Sequence, residues 1–110
     1  MVNADTFFRA LADGTRRQCL LLLLEQGRLC VCELVHAMDL PQPRVSRHLT
    51  QLRDLGVVAD ERHGRWIHYR LHPELPGWAL AVLEAARAGE DLEPLAGRLE
   101  CMPNRPEFAA

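Results

Sequence analysis

The chain has 110 residues, 48% of them hydrophobic and 25% charged, with a net charge of −2; this suits one domain with a modest core rather than two. No stretch reaches the roughly 18 apolar residues of a membrane span, and Met1-Val2-Asn3-Ala4-Asp5 is no basic or apolar leader, so a cytoplasmic protein with no membrane partner is expected. In a reducing compartment, four cysteines point to metal binding or redox chemistry rather than to a disulfide framework.

Helical signals come first along the chain. Asp5 is placed to cap a helix carrying Phe7, Phe8 and Leu11 on one face, Asp13-Gly14 breaks it, and Thr15 caps a second helix from about Arg16 to Gln26. The second is apolar on most sides through Cys19 to Leu24, so it is central, and Gly27 ends it. A third helix, about Val31 to Met38, turns at Asp39-Leu40-Pro41 into a fourth that starts at Gln42, carries Pro43 near its first position and stops at Gly56. Two short helices joined by a tight turn are a helix-turn-helix. From Val57 the period changes from 3.6 to 2, and the segments before and after His63-Gly64 read as a β-hairpin rich in β-branched and aromatic residues. From Glu74 the helical stripe Leu75, Trp78, Ala79, Val82, Ala85 and Ala86 follows; Gly89 ends it, and a weaker helix runs from Leu92 to Cys101. Residues 1–101 thus form the domain, and 102–110 a flexible tail.

On the fourth helix Val45, Leu49, Leu52 and Leu55 face the core, while Pro43, Ser46, Arg47, Thr50 and Gln51 form a polar face, with Gln42 and Arg44 at its start. Arg47 suits guanine, Gln51 suits adenine, and Ser46 and Thr50 suit base or phosphate. An ordinary solvated face has the same composition, but charge favours DNA. Residues 42–72 carry six Arg against three acids, whereas residues 1–41 carry four against five and residues 73–110 three against seven; no cation is a lysine. A local basic patch is the footprint of a nucleic-acid partner even in an acidic chain. Arg62, His63 and Arg65 cluster at the hairpin tip, within reach of phosphates or a minor groove. His48, at the edge of the apolar face, reads as a packed, hydrogen-bonded structural histidine.

Cys30 and Cys32 stand one residue apart, Cys32 being ten residues upstream of Gln42. Thiolates select soft ions, and two apolar fillers at a helix start would explain one cysteine better than two. If both were helical, their side chains would diverge by about 200°, too far to share one ion; extended backbone puts i and i+2 on one side. Ion binding therefore uses a helix start already non-helical at Cys30, or unwinds the first turn. Cys101 is the candidate third sulfur, and Cys19 reads rather as a core residue. A two-thiolate site completed by water or an exogenous thiol fits the sequence equally.

The segments Phe8-Arg9-Ala10-Leu11-Ala12-Asp13-Gly14-Thr15-Arg16-Arg17, Leu29-Cys30-Val31-Cys32-Glu33-Leu34, Gln42-Pro43-Arg44-Val45-Ser46-Arg47-His48-Leu49, Leu52-Arg53-Asp54-Leu55-Gly56-Val57-Val58 and Arg62-His63-Gly64-Arg65-Trp66-Ile67-His68-Tyr69-Arg70-Leu71 together resemble the ArsR/SmtB family of winged-helix metal-responsive repressors. The resemblance implies a mainly α fold with a β-hairpin wing, a winged helix-turn-helix, paired as a homodimer through its first and last helices. Phe7, Phe8, Leu75, Trp78, Val82 and Ala86 would form the interface, although they could instead finish the monomer core. It further implies operator DNA as partner, half-sites about 34 Å apart, and release by an inducer.

Within the family, zinc sensors resemble one another in having Asp and His pairs on the last helix; residues 74–88 contain neither. Cadmium or lead sensors add an N-terminal cysteine, absent from residues 1–18. Cys-Val-Cys is similar to the arsenic branch and implies trivalent arsenic or antimony as inducer, with no organic cofactor. It departs from that branch at Val35, where relatives often have a third cysteine. A thiol-redox repressor of the same fold is the alternative, opposed by the awkwardness of an i, i+2 disulfide. An enzyme is not expected, because no Cys-x-x-Cys, phosphate loop or nucleophile with a partnered base is present.

Overall fold

The computed structural model, which describes residues 2–106, runs α1 (Ala4–Ala12), α2 (Gly14–Gln26), β1 (Arg28–Cys30), α3 (Val31–Met38), α4 (Gln42–Asp54), β2 (Val58–His63), β3 (Trp66–Leu71), α5 (Gly77–Ala86) and α6 (Glu93–Glu100). A 3-10 turn, Arg87–Gly89, follows α5. The central helix is α2: Cys19 to Leu23 are all buried, which a helix apolar on every side requires. It packs against α1, α3, α4, α5 and the strands β1 and β3.

Helix starts follow the side chains that reach orphan N–H groups. Asn3, not Asp5, caps α1 by accepting from the Thr6 N–H at 2.9 Å. Asp13, not Thr15, caps α2 by accepting from the Arg16 N–H at 2.9 Å, so Gly14 begins the helix instead of breaking it. That hydrogen bond from the Arg16 backbone holds the Asp13 carboxyl below its ordinary range. Helix α5 begins at Gly77 rather than Glu74, with Pro76 at its N-cap, because a residue preceding proline, here Leu75, is pushed out of helical geometry. Leu55, expected in the core, is 39% exposed. The helix ends at Asp54 and Leu55 is its C-cap, so the helical wheel no longer decides where it points.

Strand β1 is absent from the sequence reading. Three residues are too few for a periodic signal, and the strand exists through its partner. Arg28, Leu29 and Cys30 lie opposite Arg70, Tyr69 and His68 in an antiparallel ladder, giving a three-stranded sheet of order β1-β3-β2. The hairpin β2-β3 runs in register from Val58↔Leu71 to His63↔Trp66. Its two-residue turn begins with Gly64 at φ +62°, a conformation that glycine adopts without penalty. An ion pair between Arg53 Nη1 and Asp60 Oδ2, 3.2 Å, ties the end of α4 to β2, so the polar helix and the hairpin form one unit. No helix of the described residues is long and apolar enough to cross a membrane.

Leu34, fully buried on α3, should cost about 2–5 kcal/mol when replaced by Ala. Leu55→Ala should cost no more than about 1 kcal/mol, since surface changes lie mostly near ±0.5 kcal/mol. Urea denaturation of the two variants checks the contrast.

Candidate functional site

Cys30 ends β1 and is also the N-cap of α3, with φ −79° and ψ 164°. Of the two backbone arrangements expected for the Cys-x-Cys pair, the structure has the first: Cys30 is extended, not helical. Its sulfur and that of Cys32 meet in a disulfide, with Cα atoms 5.4 Å apart, inside the range that such bridges need. The supposed awkwardness of an i, i+2 bridge is thereby corrected, because it assumes regular backbone at both residues.

The start of α3 is closed by a reciprocal pair of hydrogen bonds. Cys30 Sγ accepts from the Glu33 N–H at 3.4 Å, and Glu33 Oε1 accepts from the Cys30 N–H at 2.9 Å. This is a capping box with sulfur in place of the usual hydroxyl oxygen. Glu33 is 2% exposed, and its second oxygen accepts from Arg105 Nε at 2.6 Å. Toward the other end of the helix, Arg98 Nε donates to the Ala37 carbonyl at 2.8 Å. Two arginines thus hold α6 and the segment beyond it along α3. Of residues 102–110, the five described ones follow α6 onto this helix start, and Met102 reaches the thiol pair.

A cavity of about 430 Å³ opens beside the cysteines. Val35 and Met102 line it, as do Gln42 from the start of α4 and Arg65, Trp66 and Ile67 from the hairpin. Neither candidate third sulfur is there. Cys19 is buried in α2 and Cys101 is exposed; no group of three metal-ligating side chains exists among the described residues. Burial pushes the Cys19 thiol up to about 12, with a smaller contribution from the charge of Asp13.

On α4, Gln42, Pro43, Arg44, Arg47, Thr50 and Gln51 are exposed, and Ser46 is half-buried. The polar face is therefore continuous, but Gln51 also accepts from Arg16 Nη1 at 3.4 Å. Arg16 donates in addition to the carbonyls of Arg9 and Ala10, at 3.1 and 3.2 Å, and so joins the end of α1 to the polar face. At the hairpin tip Arg62 and Arg65 are exposed. The Arg65 guanidinium lies 5.2 Å from the Trp66 ring centre. His63 is engaged within the wing: Glu61 Oε1 lies 2.6 Å from its Nε2, and its ring stacks on His68 at 4.6 Å. Burial, then the neighbouring charge of His63, lowers the pKa of His68. His48 is packed but not hydrogen-bonded as expected; its buried Nδ1 has no partner among the described residues.

The apolar stripe is divided. Phe7 and Leu75 are buried within the protomer, with Phe7 edge-on to Trp78 at 5.4 Å. Phe8 at 52% and Trp78 at 42% stay exposed, and Val82 and Ala86 are half-buried. Sequence reasoning missed Glu33, Arg105 and Arg16. Glu33 carried a signal, the capping-box spacing of three from Cys30; Arg105 and Arg16 act over distances no local pattern encodes.

The sequence matches the family described as bacterial regulatory protein, arsR family, over residues 13–60. It is 50% identical over 102 residues to the arsenic resistance transcriptional regulator ArsR1 of Pseudomonas putida KT2440, covering 91% of this chain and 80% of that protein. To the arsenical resistance operon repressor of Escherichia coli K12 it is 49% identical over 79 residues, 72% and 68% of the two chains. Among solved structures, the AntR antimony-specific transcriptional repressor superposes with a TM-score of 0.65 at 27% identity, over 93% and 89% of the chains. HlyU from Vibrio cholerae N16961 does so with a TM-score of 0.66 at 30% identity, over 74% and 84%.

Native protein treated with iodoacetamide at pH 8 should be alkylated at Cys101 and not at Cys19, since the thiolate is the reactive form. Mass spectrometry of the digested protein reads both sites at once.

Proposed function

The chain belongs to the arsR family of bacterial regulatory proteins, and from that premise we propose that it is a repressor that binds operator DNA as a homodimer and lets go when trivalent arsenic or antimony is captured by Cys30 and Cys32. It is a winged-helix transcription regulator and not an enzyme. The observation that carries the inducer reading is the extended backbone at Cys30, which turns both sulfurs toward one point at the start of the helix-turn-helix. Relatives named for arsenic resistance and for antimony-specific repression support the choice of ion.

Arg47 and Gln51 would read bases while Arg44, Arg62 and Arg65 contact phosphates. His63, held by Glu61 and His68, contributes less than the flanking arginines. Exposed Phe8 and Trp78 on α1 and α5 support a dimer through those helices; a second copy would cover them and set two recognition helices about one DNA turn apart. Ligation draws on the sulfur that caps α3, so ion capture and the anchoring of the helix-turn-helix compete for one atom.

A thiol-redox repressor is the second reading, and the disulfide joining Cys30 and Cys32 favours it. Fluorescence anisotropy on operator DNA separates the two. Under reducing conditions arsenite and antimonite should release wild type, Cys19→Ser and Cys101→Ser, whereas Cys30→Ser and Cys32→Ser should stay bound. Operator binding that survives arsenite under those conditions but fails with diamide would favour the redox switch. Arg47→Ala should weaken operator binding by about 5- to 150-fold, the equivalent of about 1–3 kcal/mol for a lost bidentate base contact, in the same titration without arsenite.

A further inference from the structure

The cavity beside the thiols has walls from two elements that touch DNA in the function proposed above. Gln42 is the first residue of the recognition helix and Arg65 sits in the turn of the wing; both line the space that Cys30 and Cys32 open into. At about 430 Å³ it exceeds the roughly 30 Å³ share of one water, so it has room for more than a bare ion. Most of its other walls are apolar, among them Val35, Trp66 and Met102. Besides His36 and the indole N–H of Trp66, Gln42 and Arg65 are the side chains there that donate hydrogen bonds to oxygen, and they alone come from residues expected to contact DNA.

Two sulfurs do not complete trivalent arsenic, and among the described residues no third thiol lines the cavity, the Met102 thioether being a weak ligand beside a thiolate. With the pair kept as a dithiol by a phosphine reductant, which offers arsenic no competing thiol, arsenous acid exchanges two hydroxides for two sulfurs. The reaction As(OH)3 + 2 Cys–SH → (Cys–S)2As–OH + 2 H2O involves no change of oxidation state. One oxygen stays on arsenic, inside a cavity with few polar partners. We propose that Gln42 and Arg65 hold this oxygen, and that holding it withdraws both side chains from DNA. Arg65 is suited to the exchange, because among the described residues its contact is the face of Trp66 and no ion pair anchors it. The inducer then acts directly on DNA-contacting side chains, in addition to any strain in α3. This rests on the reading of Cys30 and Cys32 as the inducer site.

The test compares operator dissociation constants with and without saturating arsenite, in reductant, for wild type, Arg65→Ala and Gln42→Ala. The ratio of the two constants is the coupling between sites. Both variants should bind operator more weakly without arsenite, and their ratios should drop at least threefold toward one. In calorimetric titration of the free proteins, Arg65→Ala should also bind arsenite severalfold more weakly. Methylarsonous acid, whose third position is carbon once both sulfurs are bound, should bind Arg65→Ala and wild type equally. If both variants weaken operator binding by the same factor with and without arsenite, Gln42 and Arg65 are DNA contacts only and the proposal is overturned; equal losses for arsenite and methylarsonous acid overturn it as well. Should Cys30→Ser and Cys32→Ser release DNA normally with arsenite, the site reading itself fails, which is a separate result.

Discussion

The reciprocal bond between Cys30 and Glu33 is the constraint on which the rest is arranged. A helix start leaves N–H groups without partners, and here one is satisfied by a sulfur and another backbone N–H by a buried carboxylate. A buried carboxylate needs a counter-charge, and Arg105 supplies it from the segment after α6. That pairing draws the C-terminal segment onto α3, which puts Met102 in the cavity wall. One local capping requirement thereby fixes where the thiols point, what lies over them and how the end of the described chain is used.

The polar face of α4 and the hairpin, proposed to face DNA, are secured by different means. Arg16 joins α1 to Gln51, and Arg53 joins α4 to β2. Both pairs are exposed and individually contribute little to stability. Their value is geometric, since they restrict how the recognition helix tilts against its neighbours.

Helical periodicity carried most of the fold. The apolar faces of α2 and α4 and the alternation of β2 and β3 are local properties, and they appear where the residues predict. Helix boundaries shifted by the reach of individual caps, as at Asn3 and Asp13, and Leu55 left the core because its helix stopped one residue earlier. Strand β1 was invisible because its existence depends on β3, forty residues away. For the site, the thiol pair and the polar face of α4 were legible from residue type and spacing. The partners Arg105, Gln42 and Arg65 were not seen at the thiols, since only the folded chain brings the tail, the recognition helix and the wing to one cavity.

Cys30 belongs to a sheet as well as to a helix cap, opposite His68 in the ladder between β1 and β3. Side chains along a strand alternate between faces, so slipping this short strand by one position would send the sulfur to the far side of the sheet. Transplanting the Cys-Val-Cys tripeptide into another winged helix would therefore not transplant the placement of its two sulfurs. The graft would have to bring Arg28 and Leu29 along, together with a central strand cut to the same register; a protein engineer would be moving a sheet edge, not a motif.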